Sequence, residues 1–309
     1  MRTLCFGDAI VDLICHRPVS SFDEADAFVP APGGVIANVA ATAARAGAAV
    51  SFAGGAGDDR WGRWLHERLD GAGVDLRWFD LVKGHSTAVA FTTIDEEGEP
   101  AWDLYGDGVA ASVAAVGDLL LGAVESTDAL LFTSNTLADR AAAQLTMAAR
   151  ERALELGRPI VFDPSVRKHR WRNSPSGAAA ACNACVPDAF LVKCNGLEAR
   201  LMTGERTAEA AAASLLAGGA RHAVITLGGA GAILRGNGLR VDVRAAPVAR
   251  LVSTVGAGDV FLGVLLAQLG LTDYYPPALA AALPAAAEQA ARACERWGAL
   301  DEREGPRIR

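Results

Sequence analysis

Residues 254–259 read Thr-Val-Gly-Ala-Gly-Asp and lead directly into an apolar helical stretch, Val260–Leu269. Two glycines and an alanine allow backbone N–H groups to converge, and a helix N-terminus adds partial positive charge, so this turn suits a phosphate or a developing anion. Asp259 would place a carboxylate beside that anion. A base that removes a proton next to such a turn suits phosphoryl transfer to a hydroxyl. The alternative is a tight turn in which Asp259 only caps the helix.

Other phosphate-binding and catalytic motifs are missing from the sequence. No Gly-Lys dipeptide occurs, which excludes a Walker A loop. Gly7 stands alone after the first predicted strand, and Gly229-Ala230-Gly231 lacks a third glycine and a following helix, so the dinucleotide-binding fingerprint also fails. The nucleophile elbow of α/β-hydrolases and the signatures of protein kinases are absent as well.

Composition and charge are typical of a soluble intracellular enzyme, which we expect in the cytoplasm. The chain has 309 residues, 51% of them hydrophobic, a net charge of −7 and only three lysines. A nucleic-acid binder would usually carry a basic stripe, and a membrane span would need about 18–20 apolar residues in a row. We therefore expect neither a nucleic-acid partner nor a membrane. The pair Cys182-x-x-Cys185 favours two buried thiols on one helix face over a metal or redox site.

Apolar runs of strand length alternate with helical stretches from about residue 113 onward. Alternating βα units predict an α/β fold with a doubly wound, mostly parallel sheet and helices on both faces. The predicted strands are Leu130–Thr133, Ile160–Asp163, Phe190–Lys193 and Ala223–Leu227, and the predicted helices span 138–156, 176–185 and 197–217.

Residues 76–106 differ from this pattern because they are β-rich and contain no helical stretch. We interpret Leu76–Leu81, Thr87–Ile94 and Ala101–Tyr105 as a small antiparallel sheet outside the main fold. Nearer the N-terminus, Ile10–Cys15 is predicted to be extended and 17–32 to be a polar loop that contains prolines.

Four motifs, in order, resemble the ribokinase-like (pfkB-type) carbohydrate kinases over nearly the whole chain. Gly33-Gly34-Val-Ile-Ala-Asn38 with residues 57–62 resembles the family's first signature, and residues 254–259 resemble its second. Between them, Asn195-Gly-Leu-Glu198 matches the family's Asn-x-x-Glu, and residues 226–231 match its nucleotide-side strand and glycine turn.

The resemblance implies a ribokinase-like kinase domain over residues 1–309, with a small β-sheet lid from about 10–30 and 77–110. It also implies ATP and Mg²⁺ as cosubstrate and cofactor, and a lid that closes to exclude water. In many relatives two lids pair, so a homodimer through the lid is expected. Ser253 stands where the family's second signature usually begins with Asp, which argues against activation by a monovalent cation.

The same resemblance gives each motif residue a role. Asp259 is expected to be the general base, and the N–H groups of Gly256, Ala257 and Gly258 the anion hole. Sugar hydroxyls are expected to bind at Asp12, Gly33, Gly34 and Asn38. The nucleotide is expected at Asn195, Thr226, Gly229, Gly231, Gly256 and Gly258. Mg²⁺ is expected near Asn195 and Glu198, through bound water.

Structural alternatives exist for three of these residues. Asn195 and Glu198 have the spacing of a capping box at a helix start. Asn38 could be an ordinary polar residue in a first helical turn, and Asp12 could cap a turn at a strand end.

Residues 163–167, Asp-Pro-Ser-Val-Arg, resemble a stretch of fructokinases and 2-keto-3-deoxygluconate kinases, although Asn is more usual than Ser165. Arg167 would pair with a carboxylate or phosphate, or else be a solvated loop arginine. Transfer of the γ-phosphoryl group of ATP to a primary hydroxyl of fructose or 2-keto-3-deoxygluconate is therefore expected. Fructokinase-like relatives tend to carry an arginine near Tyr105-Gly106-Asp107, and its absence weakens a plain fructose assignment. The alternatives are a kinase of nucleosides or other hydroxymethyl compounds, and a catalytically silent regulatory binding protein.

Overall fold

The computed structural model describes residues 1–105, 108–117, 119–171 and 174–300. Gly106 and Asp107, in the segment expected to form the lid, therefore lie outside the described residues. The described strands are, in chain order, β1 (Thr3–Phe6), β2 (Ile10–Cys15), β3 (Phe28–Gly33), β4 (Val50–Gly57), β5 (Asp75–Val82), β6 (Val89–Ile94), β7 (Pro100–Tyr105), β8 (Ala129–Thr133), β9 (Ile160–Asp163), β10 (Leu191–Asn195), β11 (Ala223–Thr226), β12 (Ala232–Gly236) and β13 (Leu239–Val243). The described helices are α1 (Val35–Arg45), α2 (Arg60–Gly71), α3 (Gly108–Val116), α4 (Leu119–Glu125), α5 (Arg140–Glu155), α6 (Pro175–Asn183), α7 (Gly196–Thr203), α8 (Ala208–Ala217), α9 (Ala257–Leu271) and α10 (Pro277–Ala293).

The described strands form a large and a small sheet. The large sheet has nine strands in the order β13-β12-β11-β10-β9-β8-β1-β4-β5. Its strands are parallel from β5 to β11, and the antiparallel hairpin of β12 and β13 completes one edge. Asn237 and Gly238 both have positive φ in that hairpin turn, as a type I′-like turn requires. The predicted doubly wound, mostly parallel sheet is confirmed.

Helices cover both faces of the large sheet because its strands are apolar on both sides. In β1, Leu4 and Phe6 enter one buried cluster, whereas Cys5 enters the other. The Cys5 cluster includes α1, α9 and α10, and the opposite cluster includes α3 to α8. Cys182 in α6 and Cys185, two residues beyond its end, are both buried in the second cluster as free thiols, as predicted. No helix in the described ranges is long and apolar enough to cross a membrane.

The small sheet has the order β3-β2-β6-β7 and corrects three expectations. The loop predicted over 17–32 contains β3, which pairs antiparallel with β2 despite Pro30 and Pro32. The segment Leu76–Leu81, expected in the small sheet, instead forms β5 and pairs parallel with β4 in the large sheet. In addition, β2 and β6 are parallel, so the small sheet is mixed rather than antiparallel.

The helical stretch predicted over 197–217 is two helices. Gly204 ends α7 in the left-handed region with φ of 75°, and Thr207 then caps α8 by accepting from the N–H of Ala210. A left-handed glycine is a common helix terminator because it lacks a Cβ. The break leaves α7 as a short helix whose start lies at the end of β10.

Candidate active site

A pocket lies between one face of the small sheet and the starts of α1 and α9. Its wall is formed by Asp8, Ile10, Asp12, Gly34, Val35, Asn38, Ala90, Trp102, Leu104, Asn135, Arg167, Arg170, Val255, Gly256 and Asp259. Five of the expected substrate-side residues therefore meet there: Asp12, Gly34, Asn38, Arg167 and Asp259. Gly33 does not line the pocket.

Two closely packed helices bring the expected base and its neighbour together. A Cβ on Gly263 of α9 would lie 2.5 Å from the Cβ of Thr42 on α1, so glycine allows the two helices to approach. One turn toward their N-termini, Asn38 Nδ2 donates to Asp259 Oδ2 over 2.9 Å. The Asp259 carboxylate thus bonds across to α1 and does not cap its own helix.

The turn before α9 has the open amides that its sequence predicts, with one difference. Gly256 caps the helix with φ of 76°, and a Cβ there would lie 2.3 Å from the Cβ of Ala299. The N–H of Ala257 donates to the Thr254 carbonyl over 3.3 Å. Toward the described part of the chain, the N–H groups of Gly256, Gly258 and Asp259 donate no hydrogen bond. We call the N–H groups of residues 256, 258 and 259 the anion turn.

Glycines 33 and 34 make room for two carboxylate-bearing residues. A Cβ on Gly33 would lie 2.4 Å from Asp12 Oδ2, so only glycine leaves space for that carboxylate. Gly34 has φ of 95°, and its Cβ would lie 2.4 Å from the Asp8 carbonyl oxygen. Gly33 therefore acts on the pocket through Asp12.

Three buried acceptors face the pocket without a donor. Asp8 Oδ1, Asn38 Oδ1 and Asn135 Oδ1 accept no hydrogen bond within the described chain. Buried polar atoms are nearly always paired, because an unpaired one costs about 1–3 kcal/mol. A ligand rich in hydroxyl groups would supply donors to all three.

Burial and mutual repulsion shift the two pocket aspartates toward neutral pH. Burial, together with the Asp259 carboxylate, raises the pKa of Asp12 to about 7 against the opposing charge of Arg167. Burial also raises the pKa of Asp259 to about 7, although the Asn38 hydrogen bond, Arg167 and Lys193 oppose the shift. A general base works best with a pKa near the working pH.

Two arginines complete the pocket wall opposite these aspartates. The Arg167 guanidinium lies over the Trp102 ring, 5.0 Å from its centroid, so it packs against the small sheet and is not a solvated loop arginine. Burial lowers the pKa of Arg170, against the charges of Asp8 and Asp139. The pocket thus offers both cationic and anionic groups to a ligand.

Four of the residues expected at the nucleotide lie together at or just after the ends of two parallel strands and outside the pocket wall: Asn195, Thr226, Gly229 and Gly231. The other two, Gly256 and Gly258, lie at the start of α9, and Gly256 lines the pocket. Asn195 ends β10 and pairs in register with Thr226, which ends β11 and donates through Oγ1 to the Cys194 carbonyl over 3.4 Å. Gly231 follows with φ of 101°, and a Cβ there would lie 2.0 Å from the Val243 carbonyl oxygen. A Cβ on Gly229 would meet nothing within 4 Å, so no steric reason requires glycine there.

Asn195 and Glu198 form the capping box that their spacing allows. Asn195 Oδ1 accepts from the N–H groups of Leu197 and Glu198, each over 2.9 Å. Glu198 Oε2 accepts from the Asn195 N–H over 2.9 Å, and its Oε1 accepts from the Val166 N–H over 3.0 Å. Glu198 therefore also fixes the loop that carries Arg167. Burial and the Asp163 charge raise the pKa of Glu198.

Several pocket residues were not expected from the sequence. Asp8, Asn135 and Arg170 carry no motif spacing, because separate elements bring them to the pocket. Outside the pocket wall, Lys193 was not expected either; it forms a buried ion pair with Asp163, with Nζ 2.9 Å from Oδ2. Burial would lower the pKa of Lys193, but the Asp163 and Glu198 carboxylates outweigh burial and raise it.

Comparison with known proteins identifies the family of the chain. Residues 2–299 match the model of the pfkB family carbohydrate kinases. The chain is 31% identical over 265 residues to a probable fructokinase-2 of Arabidopsis thaliana, covering 85% of this chain and 80% of that protein.

Solved structures also resemble the chain over nearly its full length. A double mutant of fructokinase from Vibrio cholerae O395, in a fructose, ADP and potassium ion bound form, is 27% identical with a TM-score of 0.82, covering 97% of this chain and 94% of that one. Aminoimidazole riboside kinase from Salmonella enterica is 25% identical with a TM-score of 0.79, covering 97% and 96%. Since the family model spans almost the whole chain, and both signatures contribute residues to one pocket, the chain belongs to the pfkB family of carbohydrate kinases and is a sugar kinase.

Proposed function

We propose that this sugar kinase transfers the γ-phosphoryl group of ATP to a primary hydroxyl of fructose. The observation that carries the proposal is Asp259, a carboxylate with a pKa of about 7 that faces the pocket directly beside the anion turn. The fructokinase relatives, and the neighbour whose structure holds fructose and ADP, favour this donor and this acceptor.

Asp259 and the anion turn divide the chemistry between them. The carboxylate accepts the proton of the sugar hydroxyl as the hydroxyl oxygen bonds to the γ-phosphorus and the bond to ADP breaks. The N–H groups of Gly256 and Gly258 stabilise the negative charge on the phosphoryl oxygens. Asn38 Nδ2 holds the carboxylate in place. Asp12 and the three buried acceptors that lack a donor orient the sugar by accepting from its hydroxyl groups.

The nucleotide would lie over the ends of β10 and β11, with its phosphates toward the anion turn. Asn195, Thr226 and the turn that ends at Gly231 would contact it. Mg²⁺ would neutralise phosphate charge when bound. The oxygens of Asn195 and Glu198 suit Mg²⁺ chemically, but each already accepts a backbone N–H, so they fit a role through metal-bound water.

A sugar acid such as 2-keto-3-deoxygluconate is the second candidate, and a specific observation favours it. Arg167 and Arg170 both reach the pocket wall, and a pair of guanidinium groups suits a carboxylate. A nucleoside is the third candidate, on the strength of the aminoimidazole riboside kinase neighbour.

A substrate panel distinguishes these candidates. The purified chain is given Mg²⁺ and ATP with fructose, 2-keto-3-deoxygluconate or a ribonucleoside, and ADP release is measured by a coupled assay. We expect the highest kcat/KM with fructose. Preference for the sugar acid, lost in Arg170→Gln but kept in the exposed-surface control Arg63→Gln, would replace fructose by the second candidate. Absence of ADP release with every compound would contradict the kinase proposal and favour a regulatory binding protein.

A further inference from the structure

Lys193 is a buried cation that no motif of the sequence singles out. It lies in β10, where its neighbours Val192 and Cys194 face one core cluster, so its side chain leaves the opposite face, toward α9. Only 5% of the residue is exposed. Its Nζ donates to Asp163 Oδ2 over 2.9 Å, and Asp163 is itself buried.

The ammonium group lies directly against the anion turn. A Cβ on Gly258 would be 3.2 Å from Lys193 Nζ. Glycine at position 258 therefore leaves room for the lysine as well as an open N–H. The cation and the unpaired amides of the turn are thus grouped beside Asp259.

Lys193 has donors to spare. An ammonium group has three N–H donors, and toward the described residues Lys193 makes one hydrogen bond, to Asp163. The other carboxylate oxygen of Asp163, Oδ1, accepts a hydrogen bond from the Ser165 N–H over 3.1 Å, which fixes the side chain. A fixed carboxylate therefore aims an ammonium with two remaining donors at a turn that is built for an anion.

We propose that Lys193 is a catalytic residue of this kinase, whose ammonium contacts a non-bridging oxygen of the phosphoryl group during transfer, and that Asp163 is its positioning residue. The proposal rests on the proposed function. In the step, the acceptor oxygen bonds to the γ-phosphorus, the bond from the γ-phosphorus to the ADP oxygen breaks, and the hydroxyl proton goes to Asp259. Lys193 keeps its own proton and only offsets charge.

A structural role makes a different prediction. If Lys193 served only to neutralise Asp163, removing both charges together would restore a neutral, buried pair and full activity. If its charge acts on the phosphoryl group, the double variant Lys193→Met/Asp163→Asn would fold yet stay slow. Lys193→Met alone leaves an unpaired buried carboxylate, so its loss of activity would not separate the two roles.

The experiment compares wild type with the double variant and with Asp163→Asn, using the exposed Lys83→Met as a control for loss of a lysine. Thermal unfolding reports the fold, calorimetric titration reports sugar affinity, and initial rates report kcat. A further readout is the tightening of ADP binding by aluminium fluoride, a mimic of the transferring phosphoryl group, with the sugar present.

We expect the double variant to keep sugar affinity within about twofold, while kcat falls roughly 10²–10³-fold and the aluminium fluoride effect is lost. Asp163→Asn, which keeps the ammonium but holds it less well, should lose less. A double variant that retains kcat within about threefold of an active wild type would overturn the inference. A failure of the proposed function differs, because wild type itself would then release no sugar-dependent ADP. If the double variant does not fold, Lys193→Arg provides the test instead. Arginine keeps the positive charge, so the aluminium fluoride effect should be preserved. Loss of that effect in folded Lys193→Arg protein would overturn the inference.

Discussion

Asp12 and Asp259 share the pocket, and each raises the cost of ionising the other. Burial is the larger cause, and it brings the pKa of each to about 7. Two coupled groups titrate as a pair, so a pH profile reports their joint behaviour. Since Asp259 must be ionised to accept a proton, kcat/KM should rise as pH increases through about 7.

Replacing Asp12 by Asn should move that acid limb to lower pH. The variant removes a like charge from beside Asp259, so the pKa of Asp259 falls and the base is ionised at lower pH. The height of the profile will also fall, because Asp12 is a sugar contact in the proposal. The measurement is kcat/KM from pH 5.5 to 9 for wild type, Asp12→Asn and the exposed control Asp26→Asn. An acid limb that stays in place in Asp12→Asn would contradict the coupling.

The sequence predicts which motif residues line the pocket, and it misses the pocket residues that belong to no motif. Asp12, Asn38, Arg167 and Asp259 were expected and line the pocket. Lys193 was not expected, because its contact with residue 258 depends on how β10 lies against α9. Its chain position two residues before Asn195 was the one available signal, since alternate strand residues share a face.

The start of α7 organises both the expected metal site and the loop after β9 that carries Arg167. Glu198 closes the capping box and also accepts from Val166. A capping box is common at helix starts, but this one ties α7 to the loop after β9. One carboxylate thus fixes two elements that the mechanism requires.

Glu198→Gln should weaken the use of Mg²⁺ more than the use of sugar. Glutamine keeps the size but has one acceptor oxygen, so one of the two backbone bonds is lost along with the charge. We expect the Mg²⁺ concentration for half-maximal activity to rise several-fold, with the sugar KM changed less than about twofold. The measurement is a Mg²⁺ titration of initial rates, with the exposed Glu155→Gln as control. Unchanged Mg²⁺ dependence with a raised sugar KM would remove Glu198 from the metal role.

The sequence predicts the helices and strands well where the hydrophobic periodicity is strong. The prediction fails where pairing with a distant strand decides whether a segment is a strand or which sheet it joins. The strands Ile10–Cys15 and Ile160–Asp163 have the predicted bounds. In contrast, the pattern of β5 does not say which sheet it joins, and β3 is obscured by prolines that an edge strand tolerates. Both errors concern long-range pairing, which local residues do not encode.

At the scale of the whole molecule, the small sheet is joined to the anion turn. The Gly98 carbonyl, in the turn between β6 and β7, accepts from the Thr254 N–H over 2.9 Å. Val255 packs in one buried cluster with Ile14 and Ile94 of the small sheet. Movement of the small sheet would therefore displace the residues that precede the anion turn, as a lid that completes the site on closing requires.

The outer face of the small sheet should mediate a homodimer. Phe91 contacts the rings of Phe22, Phe28 and Tyr105, and 40% of Phe22 and 56% of Tyr105 are exposed. Aromatic clusters of this kind are typical of interfaces. Analytical ultracentrifugation should give a dimer mass for wild type and a monomer for the pair Phe22→Glu/Tyr105→Glu. The exposed Leu197→Glu is the matched control, and a monomeric wild type at micromolar concentration would contradict the interface.

Potassium should stimulate the enzyme weakly or not at all. Ser253 is neutral where the family's second signature usually begins with Asp, and its Oγ already accepts from the Val255 N–H over 3.0 Å. A missing carboxylate weakens the attraction for a monovalent cation. Initial rates with KCl and with choline chloride at equal ionic strength test this, with ADP measured directly by chromatography. Saturable, several-fold activation by KCl alone would show that backbone carbonyls suffice for the ion.

In the proposed reaction Asp259 removes the proton of the sugar hydroxyl, so replacing its carboxylate should slow the transfer itself. Sugar-dependent ADP release is measured at pH 8 for wild type and Asp259→Asn, with the best sugar of the panel and saturating Mg²⁺ and ATP. Asparagine can keep the contact with Asn38, so fold and nucleotide binding should persist while kcat falls about 10²–10⁴-fold. A folded Asp259→Asn variant that retains more than roughly a tenth of the wild-type kcat would contradict the assignment.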